Sequence, residues 1–399
     1  MRRDLSFLLV AVTALAAACS KDIPAAESDV EQLPPQQILS DVGADSRAFS
    51  VASADGTQIT GQVDVPMGGD GREPVVVLSA GTGLFDRDVV LGNSGTERDA
   101  MFADLARRFT QAGIAVVRYD RRGVRYRPAD GQMLDKAVSG TSTVESQRDD
   151  LGAVYDLVRT EFGGPTACIA LFGHSEGLQH IAGLAAADAA APDLVVGIGG
   201  PLQAPADVFR WQLSERDGFS LHQMDADDDG VTTNEEVREG LSGTPSAVSG
   251  KLQPYLHPSG KWTPGAIARK MAGQKMNYEV AQLQALAMPP TAPYPDAKTP
   301  MAQYIWFQNW YTDDVPVAAK LAAWNVPMLL YYGDRDSQVR YEFQKPVAEA
   351  FLGNRAEMHI LPGLGHSLGP HVLFGPMDEA AADALVARTA AILNERCAS

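Results

Sequence analysis

The sequence predicts an α/β fold: a doubly wound, mostly parallel sheet carrying an inserted, mainly helical cap. Three observations predict it. Short apolar runs alternate with amphipathic stretches along most of the chain, the rhythm of β-α-β units. One of those runs, residues 167–172, leads through Gly173-His174-Ser175-Glu176-Gly177 straight into a helix-like stretch at 178–190. After the apolar run 194–198 the rhythm breaks, and the next recognisable strand starts at Pro327.

Taken in order, residues 49–54 and 58–65, divided by Asp55-Gly56, read as an opening hairpin. A strand follows at 75–78, a helix near 97–112, a strand at 114–119 and a helix near 144–161. The strand of the G-x-S-x-G turn, its helix and the strand 194–198 complete the first half. Strands at 327–332 and 356–361 complete the second. The core is therefore expected over 46–204 and 318–399, with the cap over 205–317. Four of the five tryptophans, Trp211, Trp262, Trp306 and Trp310, fall in that insertion, with Tyr255, Tyr278, Tyr294, Tyr304, Phe307 and Tyr311. Most of these rings are expected to form the cap's own core and a few to line an acyl pocket.

The G-x-S-x-G turn is weak as a bare pattern and strong between a strand and a helix. There it places a serine at the apex of a strained turn, with flanking glycines for clearance and helix amides aimed at the same point. A hydroxyl becomes a useful nucleophile only when a histidine takes its proton, and that histidine needs a carboxylate to hold it. Both should follow late strands. The strand at 327–332 runs into Gly333-Asp334-Arg335-Asp336, and the strand at 356–361 into Gly363-Leu364-Gly365-His366. Asp336, where the turn has reversed, is preferred to Asp334; His366, with its glycine-rich lead-in, is preferred to His371. His174 is expected to point away from the nucleophile and to pack. The remaining histidines show no zinc-binding spacing. Oxyanion donors are expected from the backbone amide of Glu176, whose side chain is incidental to that role, and from that of Thr82, in the loop Ser79-Ala80-Gly81-Thr82-Gly83.

These residues, together with Asp86-Arg87-Asp88 and Arg118-Tyr119-Asp120-Arg121-Arg122-Gly123-Val124, resemble bacterial α/β-hydrolases of the serine aminopeptidase-like or EstD-like esterase group. The resemblance covers most of the chain from about residue 46 onward. It implies the α/β-hydrolase fold, a carboxylesterase acting on modest acyl esters, and Ser175, Asp336 and His366 as the triad. One departure is Ala80-Gly81, where the group usually has His-Gly; this bears on loop rigidity more than on donors that are backbone amides. An aminopeptidase or amidase and a thioesterase use the same triad. A calcium-dependent surface binding protein on a disused scaffold would predict a broken one. Dehalogenase or epoxide-hydrolase chemistry would want aspartate at position 175.

Within the insertion, residues 225–236 match the twelve-residue EF-hand calcium loop. Oxygen ligands are expected from Asp225, Asp227, Asp229, the Val231 carbonyl, Thr233 and Glu236, with Gly230 at the tight turn. No partner loop is evident, so a lone, weak hand with a structural role is expected, binding Ca²⁺ on the order of 0.1 to 1 mM. No cofactor is expected for catalysis.

The N-terminus predicts export. Arg2 and Arg3 precede a short apolar stretch at 5–18, too brief to span a bilayer but suited to a signal peptide (1–18). The run Leu15-Ala16-Ala17-Ala18-Cys19 resembles a bacterial lipoprotein processing site, which would lipidate Cys19 and anchor the protein to the cell-envelope membrane. Residues 19–45, rich in Pro, Gln, Ala and acids, read as a flexible tether. The net charge of −17 over 399 residues speaks against nucleic acid or anionic lipid surfaces as partners. Of the three cysteines, Cys168 and Cys397 could form a bridge in an oxidising compartment; spacing alone leaves that open.

Overall fold

The computed structural model describes residues 39–69, 71–161, 168–243, 255–293 and 303–397. The expected signal peptide, Cys19, the tether up to residue 38 and Tyr294 lie outside the described residues. Ten strands are described: β1 (Asp45–Ala52), β2 (Gln58–Val65), β3 (Val75–Ser79), β4 (Ala115–Tyr119), β5 (Ile169–His174), β6 (Leu194–Ile198), β7 (Thr232–Thr233), β8 (Lys261–Trp262), β9 (Met328–Gly333) and β10 (Ala356–Leu361). Eight form one sheet in the order β1-β2-β4-β3-β5-β6-β9-β10, and β7 and β8 form a separate small ladder. In the large sheet β2 runs antiparallel to both β1 and β4 and the other pairs are parallel, while β7 and β8 are antiparallel.

The central strands are apolar at almost every position because both faces of the sheet are covered. Their side chains alternate. Val76, Leu78, Ala170, Phe172 and Val196 face a core shared with Phe102, Leu105 and Phe109 of α1 (Met101–Gln111), and with Leu385 and Leu393 of the last helix, Glu379–Cys397. Val75, Val77, Leu171, Val195 and Leu330 face the opposite core. After the short α2 (Lys136–Ser139), that side takes Leu151, Val154 and Val158 of α3 (Val144–Glu161), and Leu178 and Ile181 of α4 (Glu176–Ala186). Each fully buried Leu, Val or Phe contributes about 1.5–3 kcal/mol. With this strand order, an antiparallel second strand and a sharp turn after β5, the sheet is that of the α/β-hydrolase fold.

Between β6 and β9 lie α5 (Pro205–Ser214), α6 (Arg216–Met224), α7 (Asn234–Gly240), α8 (Pro264–Ala287), α9 (Tyr304–Thr312) and α10 (Val317–Leu321). Phe209, Trp306, Trp310 and Tyr311 stack at centroid distances of 4.9–6.3 Å, so aromatic packing joins α5 to α9. α10 packs on α4 against the sheet. α11 (Tyr341–Phe351) and α12 (Glu379–Cys397) complete the chain.

Some boundaries differ from expectation, each for a local reason. The helix expected over 97–112 is split: Glu97–Asp99 is a separate turn of 3₁₀ helix, and Ala100 (φ −87°, ψ 82°) leaves helical geometry. The Asp99 carboxylate accepts the amides of Ser94 and Gly95, which holds that turn apart from α1. The helix after the turn starts at Glu176 and stops at Ala186, before Asp188 takes a left-handed φ of 62°. Cys168 and Cys397 are joined in a disulfide, with Cα atoms 5.9 Å apart, so the end of α12 is tied to the start of β5.

Candidate active site

Ser175 sits at the turn between β5 and α4 with φ 53° and ψ −124°, a conformation that L side chains rarely adopt. Its amide donates to the Ile198 carbonyl at the end of β6, 2.9 Å away, which locks the apex to the neighbouring strand. A methyl group on Gly177 would lie 2.1 Å from the Ser79 carbonyl oxygen, so only glycine lets the elbow close against the end of β3. The loop after β3 then crosses Ser175: a methyl on Gly81 would lie 2.9 Å from Ser175 Cβ.

Asp336 and His366 lie in the loops that follow β9 and β10. His366 Nδ1 lies 2.9 Å from Asp336 Oδ2, and both side chains are buried. Asp336 Oδ1 accepts the amides of Gln338 (2.7 Å) and Val339 (3.0 Å), so the carboxylate is bonded on one oxygen and turned to the imidazole with the other. Asp334 does different work: it accepts the Gly363 amide at 2.7 Å and joins the two loops. Gly199, next to the carbonyl that holds Ser175, has a φ of 53°, and a methyl there would meet His366 Nδ1 at 2.8 Å. Ser175 and His366 therefore converge on the same end of β6.

His174, expected to pack, lays its ring 5.1 Å from that of His366. Burial, aided by the nearby His366, pushes the His174 imidazole well below its ordinary value and keeps it neutral. Its location follows from the pleat: the residue before the apex faces the end of β6, where His366 arrives. Around the loop after β3, buried ion pairs fix the backbone. Arg87 grips Asp120 through Nε (3.1 Å) and Nη2 (2.6 Å), and Arg118 bridges Asp64 and Asp88. The Arg118 to Gly123 segment thus acts here as scaffolding.

The Glu176 side chain, expected to be incidental, is 2% exposed and joins several elements. Its Oε1 accepts from Trp306 Nε1 at 3.1 Å, and its Oε2 pairs with Arg121 at 3.3 Å. Burial acts to raise this carboxyl, but the Arg121 charge, His180 and Thr82 hold it down at about 2. A charged residue directly after the nucleophile is the signal that could have marked it, since a buried carboxylate is costly unless partnered.

In the cap, Asp225, Asp227 and Asp229 each offer a carboxylate oxygen within 4.8 Å of the others. Gly230 (φ 81°) donates to Asp225 Oδ2 at 2.8 Å, and the Val231 amide to Asp229 Oδ1 at 2.7 Å. Glu236 folds back, accepting Ala226 N and Thr233 N, while Thr233 Oγ1 accepts the Glu236 amide, a capping box that starts α7. The loop pairs with a second turn through the β7–β8 ladder. Thr232, two residues past Gly230, pairs with Trp262, two residues past Gly260 (φ 85°). Thr233 and Thr263 each then cap the helix that follows. The second turn repeats the backbone without the carboxylates, which is why it carries no ligand pattern.

Helices α5 and α6 hold the loop after β9. Trp211 Nε1 donates to the Ser337 carbonyl (3.0 Å), Arg216 Nη1 to Gln338 Oε1 (3.2 Å) and Arg335 Nη2 to the Gln223 carbonyl (2.6 Å).

No family model matches this sequence, and no curated protein matches it. Solved structures are similar at the level of the fold. Est1E from Butyrivibrio proteoclasticus is 14% identical with a TM-score of 0.48, over 87% of this chain and 98% of its own. A proline iminopeptidase from Mycobacterium smegmatis is 16% identical with a TM-score of 0.47, over 88% and 99%. An esterase domain from a Rhodothermus marinus protein is 14% identical with a TM-score of 0.47, over 88% and 98%.

Proposed function

We propose that this protein is a serine hydrolase that cleaves carboxylic esters through an acyl-enzyme, with Ser175 as nucleophile, His366 as base and Asp336 as the carboxylate that orients it. The observation that carries this reading is the buried His366–Asp336 pair at 2.9 Å, converging with a strained Ser175 on the end of β6. An ionised Asp336 accepts only, so Nδ1 carries a proton and Nε2 is left with a lone pair. Ser175 Oγ attacks the ester carbonyl carbon while His366 Nε2 takes the hydroxyl proton. The amides of Thr82 and Glu176 receive the negative charge on the carbonyl oxygen. The tetrahedral species collapses, the alkoxide leaves with the proton from His366, and the acyl group stays on Ser175. Water, deprotonated by His366, then releases the carboxylic acid and restores the serine. No cofactor enters these steps.

The test is turnover of matched chromogenic esters, thioesters and aminoacyl amides by the wild type and by Ser175→Ala. Ester turnover that vanishes in the variant supports the reading. Turnover confined to amides makes the protein a peptidase, and inactivity of both proteins on the whole panel favours a narrow substrate outside it or a calcium-dependent binding protein.

We also read 225–236 as a Ca²⁺ loop that stabilises the cap. The residue pattern suits a hard cation, with oxygens from Asp225, Asp227, Asp229, Thr233 and Glu236 side chains and the Val231 carbonyl; the three aspartates lie together, while both Glu236 oxygens accept backbone amides. We read Cys19 as the site of a lipid anchor to the cell envelope; intact-mass measurement of the membrane-extracted protein, with Cys19→Ser as control, tests it.

A further inference from the structure

For oxyanion stabilisation the residue after the nucleophile needs only its backbone amide. Glu176 nevertheless buries an ionised carboxylate there, which is costly unless the charge is fully partnered. Its partners come from three different parts of the molecule. Oε1 accepts from Trp306 Nε1 on the cap helix α9 at 3.1 Å and lies 3.8 Å from His180 Nε2, one turn along α4. Oε2 faces Arg121 Nη1 (3.4 Å) and Nη2 (3.3 Å) at the end of β4. Arg121 Nη1 also donates to the carbonyl oxygen of Gly81. That carbonyl and the Thr82 N–H belong to one planar peptide unit, so fixing the oxygen fixes the direction of the N–H.

We propose that the Glu176 side chain is a positioning residue: through Arg121 it orients the Gly81–Thr82 peptide, and through Trp306 it makes that orientation depend on the seated cap. The inference rests on the serine-hydrolase reading above. One residue then governs both oxyanion donors, supplying its own amide and aiming the other. A cap that lifts takes the indole away from Oε1 and loosens the carboxylate that holds Arg121, so the oxyanion site is complete only when the cap covers it.

The experiment compares Glu176→Ala, Glu176→Gln and Trp306→Phe with the wild type, using a p-nitrophenyl ester and the matching thionoester. Thioncarbonyl sulfur accepts hydrogen bonds poorly, so the ratio of ester to thionoester turnover reports on the oxyanion donors and not on general stability. Glu176→Ala is expected to lower kcat by about 10²-fold, at the low end of the loss of one oxyanion donor, with KM changed by less than about threefold and the ester/thionoester ratio reduced. Glu176→Gln keeps an acceptor for Trp306 but loses the charge that holds Arg121, and should fall between. The Glu176→Ala/Trp306→Phe double variant should be no slower than Glu176→Ala alone. If Glu176→Ala does not fold, Glu176→Gln and Trp306→Phe carry the test through the same ratio. Folded variants with an unchanged ratio, or with a rise in KM alone, overturn the proposal. A wild type that turns over no ester and takes no label from a fluorophosphonate overturns the serine-hydrolase reading itself, and this inference with it.

Discussion

The central sheet and the inserted cap solve the burial problem differently. β3, β5, β6 and β9 bury every residue, and the charges beside them are held in ion pairs such as Arg87–Asp120, Arg118–Asp64 and Arg122–Asp150. The cap divides its apolar side chains between two clusters, Phe209, Trp306 and Trp310 in one and Leu221, Val237 and Trp262 in the other, and leaves Met276, Val280, Leu283 and Leu286 of α8 at the surface. It meets the site through a few polar bonds: Trp306 to Glu176, Trp211 to Ser337 and Arg216 to Gln338. Ser175, Asp336 and His366 therefore sit at or just past strand ends of the buried sheet, while the cap touches the segments around them through single hydrogen bonds. Damage to the sheet should unfold the protein, and damage to the cap should change what the site does before stability is lost.

The largest effect expected is on chemistry alone. Asp336→Asn should leave the fold intact and lower kcat by about 10⁴-fold, because the imidazole loses the acceptor that fixes its tautomer. Steady-state kinetics beside a melting curve would check this. A matched loss of melting temperature would instead make Asp336 structural.

On the sheet side, Cys397→Ser should cost about 2–5 kcal/mol, since the Cys168–Cys397 bridge closes a loop of 229 residues. Urea unfolding of the variant and of the reduced wild type should give the same loss. A wild type indifferent to reductant would show that this tie adds nothing to the sheet.

A pH series sharpens the contrast at the edge of the site. Burial, reinforced by the Asp88 and Asp120 charges, pushes the Asp86 carboxyl up to about 7. The native state therefore keeps a proton that the unfolded chain has released above about pH 4. Stability from this group is present in acid and is lost as pH rises through 7. Asp86→Asn should accordingly gain about 1–3 kcal/mol more at pH 8 than at pH 5, a range discounted for the partial solvent contact of Asp86. Equal gains at both pH values would remove Asp86 from the account.

The smallest expected effect belongs to the cap. With a Kd near ~1 mM, 10 mM Ca²⁺ should stabilise the protein by about 1.4 kcal/mol, and Asp225→Ala should abolish that shift. Calorimetric titration measures it directly. A shift that survives Asp225→Ala would place the ion elsewhere.

Legibility in the sequence follows the same division. The strand 194–198 was readable to the residue and the helix near 144–161 closely, because a continuous apolar run and a helical period are local signals. The pairing of Asp336 and not Asp334 with His366 could be approached from the turn that brings Asp336 around. What resisted reading was non-local. The Glu176 carboxylate gains its meaning from Arg121 and Trp306, 55 and 130 residues away. The helices Tyr341–Phe351 and Glu379–Cys397 were not read at all. The former carries Pro346 inside it, and the latter is so rich in alanine that its apolar face is faint. The turn at Gly260 was invisible as a partner for 225–236 because its backbone repeats and its chemistry does not.

The most direct test of the central claim is covalent labelling of the intact protein with a fluorophosphonate, with the modified residue located by peptide mass spectrometry. The account predicts label on Ser175 alone, fast in the wild type and slowed by orders of magnitude in His366→Ala. Label on another residue, or no label on a folded wild type, would contradict it.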